Sequence, residues 1–247
     1  MPSSLASLVL KPGREKSLKR RHPWVFSGAV AQVKGEAEPG ATLRVVGASG
    51  EFLALAAYSP KSQIIARAWS FDESDAIDAA FVRGRIAASI ARRELLFEMQ
   101  RGQAPGLASE RTSNAMRLIH AESDGLPALI VDRYADTLVL QFLSAGIDAW
   151  RDHIVAALHE LTGCANIYER SDAEVRELEG LEARVGALVG AAPGQPVGIR
   201  EHDMQFLVDV VHGQKTGFYL DQRENRRRVR QLAHGRRTLN AFCYTGA

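Results

Sequence analysis

RRTLNAFCYTGA, residues 236–247, is the stretch that decides which fold class the sequence predicts. Its apolar, β-capable segment TLNAFC (238–243) is followed by a Tyr-Thr-Gly turn, the arrangement of a first parallel strand and its loop in a doubly wound sheet. Gly246 in that loop lets the backbone approach a ligand closely, because it has no Cβ. Such a strand is buried on both faces, and the sequence offers no partners for it. We therefore expect the chain to be a fragment whose missing C-terminal part would complete a nucleotide-type binding domain.

Composition and cysteine usage are those of an ordinary globular protein. The 247 residues are 46% hydrophobic and 24% charged, and no apolar run approaches the roughly 20 residues that span a bilayer. The N-terminal residues lack the basic-then-apolar order of a secretory signal, and Cys164 and Cys243 have neither disulfide-framework nor zinc-site spacing. His120, His153 and His159 have no consistent metal-ligand spacing either. These features predict a soluble, cytoplasmic protein with no membrane partner and no metal.

Positive charge is concentrated in two stretches, although the net charge is only +2. The first joins six cations to two aromatic residues: Lys11, Arg14, Lys16, Lys19, Arg20, Arg21, Trp24 and Phe26. The second contains seven arginines: Arg223, Arg226, Arg227, Arg228, Arg230, Arg236 and Arg237. Cations neutralise phosphates and flat rings stack on unpaired bases, so this combination indicates RNA binding. A solvated helix face remains the alternative for either cluster taken alone.

Hydrophobic periodicity divides the chain into three regions. Residues 1–74 contain short strands separated by turn residues, which predicts a small β-barrel or sandwich. Residues 75–192 begin with a long amphipathic helix and continue as α+β structure. Residues 193–247 contain two strands, an arginine-rich helix that Gly235 ends, and the strand TLNAFC.

The middle region, residues 75–192, has the clearest sequence patterns for individual helices, turns and strands. Its first helix has apolar residues at a spacing of four: Val82, Ile86 and Ile90. The two-residue turn Ala135-Asp136 predicts a hairpin, and Gly163 is expected to end a second helix ahead of the strand NIYER (166–170). The charged residues Asp132-Arg133 and those at 169–172 are expected to form exposed surface pairs of little energetic weight.

Three segments together resemble a known enzyme family. GQKTGFYLDQRENRR (213–227), followed by LNAFCYTGA (239–247), is similar to the characteristic region of the S-adenosylmethionine-dependent methyltransferases of the RlmI type, which modify C5 of cytosine in large-subunit ribosomal RNA. LKPGREKSLKRRHPWVFSGAV (10–30) and YSPKSQIIARAWS (58–70) resemble the PUA RNA-binding domain that begins those enzymes. ESDGLPALIVDRYADTLVLQF (122–142) resembles their central α+β domain. The resemblance covers nearly the whole chain in the family's order.

This resemblance implies a fold class and a domain division. The fold would be α+β and multidomain, with a PUA-like β-barrel for RNA binding in residues 1–74. A central α+β domain with its long linking helix would occupy residues 75–192. Residues 193–247 would form the N-terminal, incomplete part of a Rossmann-like class I methyltransferase domain.

The resemblance also implies a cofactor, S-adenosylmethionine, and a partner, ribosomal RNA. The cofactor-binding residues would be Lys215, Thr216, Gly217, Phe218, Asp221, Gln222, Arg223, Phe242, Tyr244, Thr245 and Gly246. The RNA-binding residues would be Lys11, Arg14, Lys16, Lys19, Arg20, Arg21 and Trp24. An alternative is that Asp221 caps a helix beginning at Gln222 and that Phe218 and Tyr219 are core residues.

The family's chemistry implies where the catalytic groups lie. These enzymes add a cysteine thiolate to C6 of cytosine, which makes C5 nucleophilic, and release the product with help from a second cysteine. In the family both cysteines follow the Tyr-Thr-Gly turn at a distance, so no catalytic residue is expected in this chain, which would be inactive alone. Cys164 and Cys243 are expected to be packing residues.

Two other functions remain open. One is a stand-alone PUA-type RNA-binding protein without catalytic activity. The other is a nicotinamide dehydrogenase, which would require a G-x-G-x-x-G loop where only Tyr-Thr-Gly-Ala is present. The sequence predicts neither the target nucleotide nor the oligomeric state, for which a homodimer is one alternative.

Overall fold

The computed structural model of the protein describes residues 5–102, 113–202 and 204–241, with the side chains of residues 97–102 left aside. This part of the chain forms a six-stranded sheet, a five-stranded sheet and a two-stranded hairpin, accompanied by helices. The predicted α+β class is therefore confirmed.

The first sheet is built from the N-terminal region. Its strands, β1 to β6, are Ser7–Leu10, Trp24–Phe26, Val30–Lys34, Thr42–Val46, Phe52–Tyr58 and Ile64–Ser70, and the short helix α1 is Lys16–Lys19. The spatial order is β2-β6-β5-β4-β1-β3, with β1 parallel to β4. The apolar segment WVFSGAV (24–30) is divided between β2 and β3. These two strands pair with β6 and β1 respectively, so the chain has to turn between them.

The long helix α2, Ala79–Gly102, confirms the periodic pattern. Asp78 begins it by accepting a hydrogen bond from the N–H of Phe81 at 2.9 Å, a common way to satisfy an unpaired N–H in the first turn. The three residues spaced by four are all buried: Val82, Ile86 and Ile90. They pack in the same core cluster as strands of the second sheet.

The second sheet forms the central region. Its strands, β7 to β11, are Ala115–His120, Leu129–Tyr134, Thr137–Phe142, Asn166–Ser171 and Arg184–Val189, in the order β11-β10-β9-β8-β7. The predicted turn at Ala135-Asp136 joins β8 to β9. Strands β9 and β10 are parallel, and the connection between them contains α3, Ala145–Ala149, and α4, Arg151–Thr162. Gly163 ends α4 in the left-handed conformation (φ 62°), as predicted. Helix α5, Val175–Leu178, precedes β11, a strand that the sequence analysis did not predict.

The C-terminal region contains a hairpin and an arginine-rich helix. The hairpin strands are β12, Val197–Glu201, and β13, Met204–Val208, and the helix α6 is Arg223–Ala233. The strand predicted at 238–243 is not present in its described part. Residues 238–241 are irregular and exposed, and Leu239 is 89% accessible. None of the described strands pairs with them. Residues 242–247 lie outside the described residues.

The first sheet packs closely on the central region. Helix α3 lies against β5, and a Cβ on Gly146 would overlap the side chain of Ala57. A buried ion pair joins Arg67 of β6 to Glu179 at 2.8 Å. None of the helices in the described residues is long and apolar enough to cross a membrane.

Candidate cofactor and RNA sites

The segment predicted to bind the cofactor forms a tight turn after the β12–β13 hairpin. The N–H of Gly217 donates to the carbonyl of Gln214 at 2.8 Å. Lys215 takes the left-handed conformation (φ 55°), which is uncommon for a residue with a side chain. Gly217 has a φ of 126°, and a Cβ there would lie 2.8 Å from Val208 Cγ1. The conformation of the turn is therefore both strained and closely surrounded.

A buried polar network connects this turn to the central sheet. Asp132 of β8 is completely buried and accepts a hydrogen bond from the Thr216 hydroxyl at 2.6 Å. Arg117 donates two hydrogen bonds to the same carboxylate, both at 2.8 Å. The hydroxyl of Tyr134 lies 2.9 Å from that of Thr216. The expectation that Asp132 and Arg133 form an exposed pair was wrong, because β8 lies inside the sheet and the 213–218 turn covers Asp132.

Charge and burial act on the ionisable groups of this network. Burial raises the pKa of Tyr134, and the negative charge of Asp132 raises it further. The hydrogen bonds to Asp132 raise the pKa of Arg117. Tyr134 is therefore a neutral donor, and Asp132 and Arg117 form an ion pair that neutralises the buried charge.

Arg170 of β10 holds the same segment from another direction. Its guanidinium donates to the carbonyl of Val210 at 3.0 Å and to that of Gly213 at 3.1 Å. Its neighbour Glu169 is buried and accepts from Arg151 at 2.6 Å. The expectation that residues 169–172 are surface pairs was therefore wrong for Glu169 and Arg170. Arg151 of α4 contacts Glu169, and the segment from Val210 to Gly213 contacts Arg170, so both buried charges have internal partners.

The seven described residues of the predicted cofactor set divide by exposure. Lys215, Asp221 and Gln222 are exposed, Arg223 is partly buried, and the remaining three are buried: Thr216, Gly217 and Phe218. The ammonium of Lys215 lies 4.9 Å from the centre of the Tyr219 ring. The other four predicted residues lie outside the described residues: Phe242, Tyr244, Thr245 and Gly246.

The alternative interpretation of this segment is partly correct. Phe218 packs in a buried cluster with Tyr134, Ile199 and Val208, as a core residue would. Asp221 does not cap α6, because the helix begins after a 3-10 turn at Leu220–Gln222 and its N-terminal position has no side-chain cap.

The second basic cluster is only partly available to a ligand. Arg226 forms two hydrogen bonds, at 2.8 and 2.7 Å, with the fully buried Glu201, and its guanidinium lies 4.4 Å from the centre of the Phe218 ring. Arg223 contacts Glu201 at 3.8 Å and donates to the carbonyl of Ala115, and burial lowers its pKa. These two arginines attach α6 to the rest of the protein. The sequence analysis missed Glu201, whose only sequence signal is a lone carboxylate at a strand end upstream of an arginine-rich helix.

The first basic cluster is largely exposed, and several members make local contacts. Lys11 donates to the carbonyl of Gly28 at 3.0 Å, and Lys19 pairs with Glu51 at 3.3 Å. The guanidinium of Arg21 lies 5.6 Å from the centre of the Phe71 ring. The other cations of the predicted set are exposed: Arg14, Lys16 and Arg20.

The aromatic residues of this cluster border a small cavity. A pocket of about 270 Å³ is lined by Leu10, Arg14, Ser17, Leu18, Trp24, Val25, Phe26, Gly28 and Ala29. Phe26 is 49% exposed and meets Trp24 edge to face at 6.3 Å between ring centres. The indole N–H of Trp24 donates to Glu122 at 2.8 Å, which fixes the ring against the central region. The structure thus brings an exposed ring, a fixed ring and a cation, Arg14, to one pocket.

The described residues offer little for cysteine or metal chemistry. Cys164 is buried in the core cluster of the second sheet. Among the residues that the structure describes, no group of three or more His, Cys, Asp or Glu side chains is arranged to hold a metal ion.

Two family matches agree with these features. The family described as PUA-like domain matches residues 8–71, which contain nearly all of the first sheet. The family described as S-adenosylmethionine-dependent methyltransferase matches residues 184–247, which contain the hairpin, the strained turn and α6. S-adenosylmethionine, the predicted cofactor, is that of the matched family.

Curated relatives match almost the whole chain. Ribosomal RNA large subunit methyltransferase I from Escherichia coli (strain SMS-3-5 / SECEC) is 48% identical over 239 residues, which are 97% of this chain and 58% of that protein. The protein of the same name from Erwinia tasmaniensis is 47% identical over the same shares. The chain thus spans somewhat more than half the length of these relatives.

Solved structures support the fold. A protein from Streptococcus mutans described as a SAM-dependent methyltransferase has a TM-score of 0.67 at 19% identity, covering 90% of this chain and 53% of its own. SMU.776, described as a methyltransferase complexed with SAH, has a TM-score of 0.69 at 20% identity, covering 89% and 52%. Residues 8–71 therefore match the PUA-like domain family and residues 184–247 match the S-adenosylmethionine-dependent methyltransferase family, in a chain that is similar along nearly its whole length to ribosomal RNA large subunit methyltransferase I.

Proposed function

We propose that the protein takes part in transferring a methyl group from S-adenosylmethionine to C5 of a cytosine in large-subunit ribosomal RNA. The observation that carries this proposal is the 48% identity to ribosomal RNA large subunit methyltransferase I over 97% of the chain. Because the chain spans 58% of that relative, we assign the transfer to the whole protein, acting in the cytoplasm. We assign RNA contacts and part of the cofactor contacts to these 247 residues, and the catalytic cysteines to a region outside them.

The exposed face of the 213–223 segment supports a role in cofactor binding. Lys215, Asp221 and Gln222 offer a cation, a carboxylate and an amide. The methionine end of S-adenosylmethionine carries a carboxylate and an ammonium group, and this set of side chains complements both charges. The buried members, Thr216, Gly217 and Phe218, would fix the backbone on which the exposed ones are carried.

The pocket beside Phe26 supports RNA binding through a single unpaired base. Its volume of about 270 Å³ is sufficient for one nucleobase. Phe26 offers an exposed ring for stacking, and Arg14 offers a planar cation for stacking or for phosphate contact. Lys11 donates to the carbonyl of Gly28, which lines the pocket. Lys11 and the other exposed cations of the first basic cluster would position the RNA backbone.

RNA binding by this surface is tested with fluorescently labelled transcripts of large-subunit ribosomal RNA. We expect Phe26→Ala to weaken binding by about 1–3 kcal/mol, the usual value of one base stacked on an aromatic ring. Arg14→Gln should weaken binding and should make the negative slope of log K against log salt shallower by about one, because one phosphate contact is lost. Arg83→Gln, which removes one side of a surface pair between α2 and Glu160 and lies outside both basic clusters, is the matched control. Unchanged binding by both pocket variants would contradict the assignment of this surface.

Methyl transfer is tested with the full-length protein. The protein is incubated with unmodified large-subunit ribosomal RNA and isotopically labelled S-adenosylmethionine, and the RNA is digested for nucleoside mass spectrometry. We expect the label in 5-methylcytidine. Label in another nucleoside would overturn the proposed base, and RNA binding without any transfer would favour a binding protein.

A further inference from the structure

The central sheet holds the 213–218 segment by hydrogen bonds from three of its residues. Asp132 accepts from Thr216 at 2.6 Å, so the Thr216 oxygen is left to accept from the Tyr134 hydroxyl at 2.9 Å. Arg170 donates to the carbonyls of Val210 and Gly213. The N-terminal end of the turn, at Gly213, and its middle, at Thr216, are thus attached to strands β10 and β8 respectively.

These attachments act on a strained conformation. Lys215 is left-handed although it has a side chain, and Gly217 lies where only glycine fits. A strained backbone conformation of this kind persists only where several independent contacts hold it in place, and such conformations are concentrated at functional sites. The hydrogen bonds with Asp132, Tyr134 and Arg170 are such contacts for the segment that carries the exposed Lys215.

Stability alone does not require a polar network at this place. The surrounding cluster is apolar and includes Tyr134, Val139, Ile199 and Phe218. Replacing a buried ion pair by apolar residues of similar volume is often neutral or stabilising. A fully hydrogen-bonded network, by contrast, fixes one geometry.

We propose that Asp132, Tyr134 and Arg170 are positioning residues for cofactor binding, which they support by holding residues 213–218 in the strained turn that presents Lys215. This inference rests on the proposed function, because it assigns the turn to S-adenosylmethionine. It gives the central sheet a role in the cofactor site, reached through Thr216 and the carbonyls of Val210 and Gly213.

The first measurement is hydrogen exchange of the full-length protein without cofactor. Thr216→Val and Tyr134→Phe remove hydroxyl groups at nearly constant volume. Each should accelerate exchange of the amides in 213–218 about tenfold or more, the effect of losing a hydrogen bond in a network that contains a charged group. Exchange in β8 and β9 should not change. Thr216→Ser, which keeps the hydroxyl, should restore slow exchange. Unchanged exchange in 213–218 would overturn the inference.

The second measurement is the affinity for S-adenosylhomocysteine by calorimetry. Thr216→Val and Tyr134→Phe should weaken binding about tenfold, while Thr216→Ser binds normally. Tyr168→Phe removes a hydroxyl group from β10, and Tyr168 makes no hydrogen bond to 213–218 among the described residues, so it is the matched control. Normal affinity in Thr216→Val and Tyr134→Phe would overturn the positioning role. Failure of the unmodified protein to bind would instead contradict the proposed function, and the exchange data would still decide whether the network holds the turn.

Discussion

At the scale of single residues, the buried carboxylate of Glu201 determines how α6 is attached. It is fully buried and accepts two hydrogen bonds from Arg226. Removing one member of a buried pair leaves the other charge without compensation, which is far more costly than losing an exposed pair. The contact of Arg226 with the Phe218 ring adds a cation–π interaction to the attachment.

We expect Glu201→Ala to lower the free energy of unfolding by about 3–5 kcal/mol, because Arg226 would remain buried without its partner. Unfolding in urea, followed by circular dichroism, measures the change. Glu224→Ala, which removes an exposed pair with Arg227, is the matched control and should cost no more than about 1 kcal/mol. The double variant Glu201→Leu/Arg226→Met should recover most of the loss. Equal effects of Glu201→Ala and Glu224→Ala would contradict this account.

The charged residues that the sequence analysis misjudged or missed share one physical property. Asp132, Glu169, Arg170 and Glu201 are charged residues on or at the ends of strands, where charge ordinarily indicates exposure. Each is buried because a partner distant in sequence covers and pairs it, as Arg117 does for Asp132. A single sequence does not contain that pairing. Val82, Ile86 and Ile90 were predicted correctly because their environment follows from helical period alone.

At the scale of elements, the 3-10 turn at Ala121–Asp124 is attached to α2 by one carboxylate. Asp124 accepts from Arg92 at 2.7 Å and from Arg93 at 2.6 Å, and also from the N–H of His120 at 2.6 Å. Burial alone would raise the pKa of Asp124, but the hydrogen bonds from Arg93 and from His120 outweigh it, so the pKa lies below its ordinary value. The attachment is therefore strongest when Asp124 is ionised.

The stability that Asp124 contributes should depend on pH. A carboxyl whose pKa is lower in the folded than in the unfolded state, where it is about 3.9, stabilises the fold above that pH and stops doing so as pH falls through the folded value. We expect Asp124→Asn to cost about 1.5–3 kcal/mol at pH 7, and the difference from the unmodified protein to narrow below about pH 4. Urea unfolding at several pH values measures it. If the difference in free energy of unfolding did not depend on pH, the charge of Asp124 would not be the source of its stabilising effect.

Elements were predicted better than their pairing. The long helix, the Ala135-Asp136 hairpin and the end of α4 at Gly163 follow from local signals. Strand β11 was missed because RVGALV contains a glycine and no regular alternation, and it forms by pairing with β10. The strand expected at 238–243 depends on pairing in the same way: none of the described strands pairs with residues 238–241, and these residues are irregular.

At the scale of the whole molecule, the PUA-like sheet and the central region are joined as one unit. Helix α3 contacts β5 so closely that Gly146 has no room for a side chain. The buried pair Arg67–Glu179 and the hydrogen bond from Trp24 to Glu122 cross the same boundary. Two separate domains were predicted here from hydrophobic periodicity and from the family resemblance, neither of which indicates the contacts between them.

We expect Gly146→Ala to destabilise the protein by about 1–3 kcal/mol, because the added methyl group would force α3 away from β5. Gly84 lies in α2 with open space around it, and Gly84→Ala should stabilise by about 0.5–1 kcal/mol. Calorimetric unfolding of both variants measures the two opposite effects. If Gly146→Ala were as stable as the unmodified protein, α3 could move away from β5 without loss of stability, which would contradict the close packing described here.

The same boundary has a consequence for synthesis on the ribosome. Ala57 and Trp69 are buried partly by α3, and Trp69 precedes the end of that helix by 80 residues, from 69 to 149. At 5–20 residues per second, the nascent chain waits roughly 4 to 16 s before the helix that covers this apolar face has been made. We expect chaperones that bind nascent chains to engage this one in that window and to leave once α3 has emerged.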